Sequence, residues 1–248
     1  MKIAAIIPVK TFSKAKTRLG FTPQKIEELC KIMLEEILHT ISISPQIEKT
    51  IIVTKEPKAI EIGKKFNSII IRDEKEESVN SAVALADKYL LENGFDASIV
   101  FPQDIPYIKT QDIDFMLNYI APPNFAIVIP SRRFDGTNAL VRMPIDLMET
   151  HYDEDSYKIH MNTAKEHTLN VAMVFVKRIM WDVDNKEDLE FLLEQDEKPK
   201  IAEKIKEILG KEWENYKKWV LGTKWSTDLY RIVQKILNII IKGLWKNG

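Results

Sequence analysis

Short runs rich in isoleucine and valine alternate along the chain with longer amphipathic stretches. The runs at residues 3–9, 50–54, 68–71, 97–101, 125–129, 138–143 and 170–176 are bounded by Pro, Gly, Asn or Asp. They predict buried strands. Between them, Ile26, Leu29, Cys30, Met33, Leu34, Ile37, Leu38 and Ile41 recur at three- and four-residue spacing, the stripe of one helix. Thr22 is its expected N-cap, with Pro23 in the first turn. Residues 78–92, 110–120 and 185–193 also predict helices. Thr110 and Asn185 are the expected N-caps, with acidic residues in the first turn. Alternating strands and helices imply a three-layer α/β/α domain around a mostly parallel sheet. Two strand runs follow each other within 121–150 with no room for a helix. An antiparallel excursion, and so a mixed sheet, is expected there.

The pattern changes after residue 197. Two helix-like segments follow, at roughly 199–221 and 226–245, with four of the five tryptophans in this tail. In the last segment Leu229, Ile232, Val233, Ile236, Leu237, Ile240 and Leu244 recur at helical spacing. The expected organisation is a domain over 1–197 and a C-terminal helical extension over 198–248. The extension is expected to pack on the core or on a second subunit of a homodimer. Docking on a membrane surface through Lys235, Lys242 and Lys246 is the alternative.

Composition narrows the function classes. The 248 residues are 45% hydrophobic, enough for a sizeable core. A formal net charge of −1 argues against broad nucleic-acid binding, which needs a basic excess. No apolar window approaches the ~18 residues of a membrane span, and the opening run before Pro8 is too short for a signal-peptide core. The lone cysteine, Cys30, can form neither an internal disulfide nor a zinc site by itself. A reducing, cytoplasmic location is expected.

Candidate chemistry clusters where predicted strands end. The segment from Pro8 to Gly20 joins the first strand to the first helix and carries Lys10, Lys14, Lys16 and Arg18. Ligands of open α/β sheets bind in the crevice at strand C-termini. Backbone N–H groups with these cations would suit a polyphosphate there. Neither G-x-x-x-x-G-K-[ST] nor G-x-G-x-x-G is present. Asp104 follows another strand end, and Asp182 and Asp184 precede a helix. Mg²⁺ favours one or two carboxylates plus phosphate oxygens, so Asp104 and Asp184 are candidate ligands. Helix capping and turn formation are the competing readings. Arg132 through Leu140 offers two arginines, a glycine turn, a hydroxyl and an amide, which can host an acidic small molecule. Residues 152–160 read as an acidic helix start.

Together these stretches resemble the 2-phospho-L-lactate or phosphoenolpyruvate guanylyltransferases of deazaflavin coenzyme F-420 biosynthesis. The resemblance rests on Pro8-Val9-Lys10 with Lys16-Thr17-Arg18-Leu19, on Ser78 through Val83, on Asp104-Ile105-Pro106 and on Gly136-Thr137-Asn138-Ala139-Leu140. It continues through Ser156, His160 and Ala164, and through Asp182-Val183-Asp184 with Glu187-Asp188-Leu189. It covers residues 1–195. Asp135 and Asp153 depart from it, standing where the family has glycines. Residues beyond about 200 are an addition to the family's usual extent.

The resemblance implies a molybdopterin-guanylyltransferase-like, nucleotide-diphospho-sugar-transferase-like fold. It implies a reaction in which an acceptor phosphate attacks the α-phosphorus of GTP and pyrophosphate leaves. Pro8, Lys10, Lys14, Lys16, Arg18 and Asn80 would then contact the nucleotide, with Lys16, Arg18 and Asp104 central to catalysis. Asp104 and Asp184 would hold Mg²⁺, with Asp182 in reserve. Thr137, Asp153 and Ser156 would face the acceptor, a small phosphorylated carboxylic acid, with Arg132 or Arg133 adding charge. Two other readings stay open at this point. One is a molybdopterin- or sugar-phosphate-type nucleotidyltransferase, and the other is a non-catalytic nucleotide-binding scaffold with the tail as its interface.

Overall fold

Seven strands form where the apolar runs predict them. They are β1 (Ile3–Pro8), β2 (Lys49–Val53), β3 (Ile69–Ile71), β4 (Ala97–Val100), β5 (Phe125–Pro130), β6 (Thr137–Met143) and β7 (Val171–Met173). They build one sheet in the order β3-β2-β1-β4-β6-β5-β7. The computed structural model describes residues 1–120, 122–153 and 155–218. The chain divides into two compact units with the boundary between Glu203 and Lys204, and the sheet lies in the first. Strand β1 runs parallel to β2 and β4, β2 to β3, and β5 to β7. Strand β6 runs antiparallel to both β4 and β5. This is the excursion expected within 121–150.

The helices are α1 (Pro23–Ser42), α2 (Pro57–Lys65), α3 (Val79–Glu92), α4 (Thr110–Leu117), α5 (Ser156–His167), α6 (Lys186–Leu193) and α7 (Pro199–Leu209). Burying strands on both faces requires near-continuous apolar runs, and Ile3 through Ile7 of β1 are all buried. Ile6, Ile51, Val83, Leu90, Val100 and Leu140 share one buried cluster between the sheet and α3. Each large aliphatic side chain buried this way contributes roughly 1.5–3 kcal/mol.

Local chemistry departs from expectation at several helix ends. Lys109, not Thr110, is the N-cap of α4, and Asp112 in the first turn accepts from the Lys109 N–H at 2.8 Å. Thr22 caps α1 by backbone position without a side-chain bond. Helix α2 was not expected. It is nine residues long, and Lys and Glu dilute its apolar stripe. Glu56 starts it by accepting from the Lys58 N–H at 3.2 Å. Gly63 lets it approach the sheet, because a Cβ there would lie 2.5 Å from the Ile52 side chain. In the tail, the helix expected over 199–221 breaks at Gly210, whose φ is +49°, and helical backbone resumes over 211–218. The segment expected at 226–245 lies outside the described residues, as do Lys235, Lys242 and Lys246. Among the described residues, no helix is long and apolar enough to cross a membrane.

The strand order positions the site. From β1 the chain winds outward to β2 and β3, then returns to β4 on β1's other side. The switch point therefore lies between the C-terminal ends of β1 and β4, where open α/β sheets bind ligands. The basic loop leaves β1 at Pro8, and Asp104 follows β4 by a few residues.

Candidate active site

The basic loop is shaped by carboxylates from neighbouring strand ends. Residues 12–14 and 17–19 form two short 3-10 turns with Lys16 between them at φ 54°. The left-handed conformation costs a residue with a Cβ about 1 kcal/mol. Anchors on the rest of the loop offset that cost. Glu76 accepts from the Thr11 N–H and from the Thr11 hydroxyl at 2.9 Å. Glu56 accepts from the Phe12 N–H at 3.0 Å, and the Phe12 ring is buried. Thus two of the loop N–H groups expected to face an anion instead bind protein carboxylates. Sequence reasoning missed Glu56 and Glu76. Their one signal is position, just beyond β2 and β3 on the same sheet edge.

Lys16 joins the two aspartates assigned to the metal. Its Nζ donates to Asp104 Oδ2 and, at 2.8 Å, to Asp184 Oδ1. The Val183 N–H donates to the Asp104 carbonyl at 3.2 Å, fastening the segment before α6 beside the β4 loop. Asp188, in the first turn of α6, accepts from the N–H groups of Asp184 and Asn185, each at 3.2 Å. Asn185 caps α6 as expected, accepting from the Asp188 N–H at 3.0 Å. Arg132 and Arg133 also reach Asp188. They buttress the segment that carries Asp184 and are absent from the cavity walls described below.

The charges are strongly coupled. Burial opposes the Lys16 charge, but Asp104 and Asp184 outweigh it and hold the ammonium above the ordinary lysine range. Burial pushes the Asp104 carboxyl up against the pull of Lys16. Asp184 is held below the usual range, because Lys16 overcomes the burial. The half-buried Asp182, desolvated and near Asp104, is pushed up to about 7 while accepting from the Asn138 amide at 2.9 Å.

Asp104 Oδ1 is buried without a hydrogen-bond partner. A buried orphaned carboxylate oxygen is costly, and a cation would satisfy it. Among the described residues, no group of three or more His, Cys, Asp or Glu is arranged to hold an ion. Two carboxylates with phosphate oxygens completing the sphere still fit Mg²⁺.

These groups surround a cavity of about 360 Å³ walled by Pro8, Lys10, Lys14, Lys16, Arg18, Asp104, Thr137 and Asp184. An adjoining space of about 780 Å³ shares Lys10, Arg18, Asp104, Thr137 and Asp184 and adds Asp153, Ser156 and Asp182. Asn80 lies elsewhere. It lines a separate cavity, and its Oδ1 accepts from the Tyr152 N–H at 2.8 Å. Beside β6, the Ser156 hydroxyl donates to Thr137 Oγ1 at 3.1 Å, and His160 Nδ1 lies 2.9 Å from the same oxygen. The Asp135 carboxylate is held by the Ser131 hydroxyl at 2.5 Å. Asp153 is exposed. Cations therefore gather beneath β1, and hydroxyls and carboxylates beside β6 and α5.

Sheet order, basic loop and paired aspartates define an α/β nucleotidyltransferase. Solved structures share the fold. They include 4-diphosphocytidyl-2C-methyl-D-erythritol synthase from Anaerococcus prevotii, with TM-score 0.56 and 14% identity over 77% of this chain and 93% of that one. A cytidylyltransferase from Leptospira borgpetersenii gives TM-score 0.53 and 18% identity over 77% and 85%. The chain belongs to the guanylyl transferase CofC-like family, whose model matches residues 3–214. It is 28% identical to phosphoenolpyruvate guanylyltransferase of Conexibacter woesei, covering 78% of this chain and 88% of that protein. It is 29% identical to 2-phospho-L-lactate guanylyltransferase of Methanothermobacter thermautotrophicus, covering 76% and 83%.

Proposed function

We propose that the protein transfers GMP from GTP to the phosphate of 2-phospho-L-lactate or phosphoenolpyruvate, releasing pyrophosphate, as a cytoplasmic step of coenzyme F-420 biosynthesis. One observation carries this reading. Asp104 and Asp184 meet at Lys16 in a cavity shared with Lys10, Lys14 and Arg18, and Thr137 lines both that cavity and the space walled by Ser156. Names of relatives on both sides of the acceptor choice support it.

Both reactants are anions, so their repulsion is the main obstacle. Charge neutralisation and alignment supply most of the rate. Lys10, Lys14, Lys16 and Arg18 neutralise the triphosphate, and Pro8 helps shape the loop that holds them. Thr137 and Ser156 orient the acceptor, with Asp153 at the outer wall. A phosphate monoester is largely ionised at pH 7, so the nucleophile needs no general base. Asp104 and Asp184 would hold Mg²⁺, which supplies charge stabilisation at the phosphates when bound. Asp182, tied to Asn138, stands in reserve beside them.

Incubation of the protein with GTP, Mg²⁺ and each acceptor separately, read by mass spectrometry, tests the reading. It expects a guanylyl-diphosphate-linked acid and stoichiometric pyrophosphate from one acceptor at least. Intact GTP in both incubations would overturn it.

A further inference from the structure

His160 lies inside the wall behind Thr137 and is fully buried. Its ring has a partner at each nitrogen. The backbone N–H of His151 donates to Nε2 at 2.8 Å, and Nδ1 lies 2.9 Å from Thr137 Oγ1. A backbone N–H can only donate, so Nε2 must be the bare nitrogen. Burial first, then His151 and Arg142, pushes the ring's pKa down to about 3, so the imidazole is neutral. A neutral imidazole with Nε2 bare carries its proton on Nδ1. Nδ1–H therefore donates to Thr137. The Ser156 hydroxyl also donates to that oxygen, at 3.1 Å. A hydroxyl oxygen has two acceptor sites and one proton. Both acceptor sites of Thr137 are filled from within the protein. Its own proton is the remaining capacity, and Thr137 borders both cavities.

We infer that His160 is a positioning residue for the acceptor: by donating through Nδ1 to Thr137, it fixes the threonine hydroxyl as a donor toward the acceptor's anionic group. A threonine hydroxyl with a free choice of roles would spend part of its time presenting a lone pair to that anion, which repels it. The inference rests on the acceptor placement proposed above. The same ring also ties down the loop carrying Asp153, since His151 is bound to it and Tyr152 is bound to Asn80.

Two amide substitutions separate the ring's two bonds. His160→Asn keeps an N–H donor near the position of Nδ1. His160→Gln keeps an acceptor near Nε2 but loses the donor to Thr137. His160→Asn should leave the acceptor KM within about threefold of wild type, whereas His160→Gln should raise it about tenfold, the effect of one hydrogen bond. The GTP KM should stay within about twofold in both. The side-chain ¹⁵N spectrum of the wild-type protein should show a neutral imidazole protonated at Nδ1, whether or not either variant folds. An Nε2–H tautomer, with Nδ1 bare, would overturn the inference. So would equal acceptor KM values in the two variants, or a loss shared with GTP. If wild type turns over neither acceptor, the functional reading itself fails and takes this role with it. Normal wild-type turnover with overlapping variants removes the His160 inference alone.

Discussion

The backbone N–H of Val183 donates to the carbonyl oxygen of Asp104 across 3.2 Å. Seventy-nine positions of sequence separate the two residues, by subtraction of 104 from 183. This bond brings the Asp182–Asp184 segment alongside the loop after β4, so both metal-assigned carboxylates reach one lysine nitrogen. Lys16 Nζ thus stands as a positive charge between the two carboxylates and offsets part of their mutual repulsion.

The two carboxylates are not equivalent, and their asparagine variants should rank accordingly. The Asp104 side chain is 10% exposed and that of Asp184 is 45% exposed. Water can replace part of what Asp184 provides. Asp104→Asn should lower kcat about 10³-fold, with Asp184→Asn lowering it less. Pyrophosphate release at saturating substrates measures both, and unchanged melting temperatures would show that the fold survives. Near-wild-type turnover of Asp104→Asn would remove Asp104 from the chemistry.

Glu76 should matter to GTP although it contributes no positive charge. It holds Thr11 by two bonds and pairs with Lys55 at 3.2 Å and Lys14 at 3.6 Å. Burial works against its charge, but the Thr11 bonds hold its carboxyl below the usual range. Glu76→Ala should release the loop start and raise the GTP KM about tenfold, with a smaller effect on the acceptor KM. Glu76→Gln keeps an acceptor for the Thr11 N–H and should fall between. Initial rates over a GTP titration check the order of the three proteins.

That anchor marks where the sequence stops being readable. The five inner strands are legible because a strand buried on both faces needs an uninterrupted apolar run, and the partly buried edge strands β3 and β7 carry the same short apolar composition. Lys16 and Asp104 are legible because each follows such a run at one edge of the sheet, and Asp184 because it stands just before a capped helix. Helix α2 is missed because it lacks the start signal that the sequence shows at α4 and α6: its N-cap is Glu56 rather than Ser, Thr, Asp or Asn, and its first turn carries no acidic residue. Glu56, Glu76 and His160 are missed as contacts for another reason. Thr11 and Glu76 are 65 positions apart, and no local pattern records which backbone N–H a distant carboxylate will find. The same limit applies to Asn80, where the side chain that suits a nucleotide also suits the Tyr152 backbone.

The pair of Arg142 and Asp87 predicts a large stability effect away from the site. Arg142 is 1% exposed and binds Asp87 through both terminal nitrogens, at 2.8 and 2.7 Å, with Ser98 at 3.1 Å. Removing the carboxylate leaves a buried guanidinium without its counter-charge. Asp87→Ala should cost about 3–5 kcal/mol. The double variant Arg142→Met with Asp87→Ala should recover much of that loss, since the unpaired charge is gone. Urea midpoints for the three proteins test this, and a double variant no more stable than Asp87→Ala would count against it.

His160 predicts a particular acid sensitivity. Its ordinary pKa is 6.5, and burial lowers it to about 3 in the folded protein. Between these values the unfolded chain binds a proton that the folded chain refuses. Unfolding is therefore favoured as pH falls through this window, and the stability is fully present only above about 6.5. One proton corresponds to about 1.4 kcal/mol per pH unit. Across the window the contribution is on the order of 5 kcal/mol. Carboxylates titrate in the same range, so the difference between two proteins isolates the histidine. His160→Asn cannot bind this proton in either state. Its stability, from urea melts at half-unit steps from pH 7 to 4, should fall less steeply than wild type by up to one proton's slope. Parallel curves would mean that the folded protein's imidazole takes up its proton as the unfolded chain's does, and the acceptor role of Nε2 toward the His151 N–H would fail.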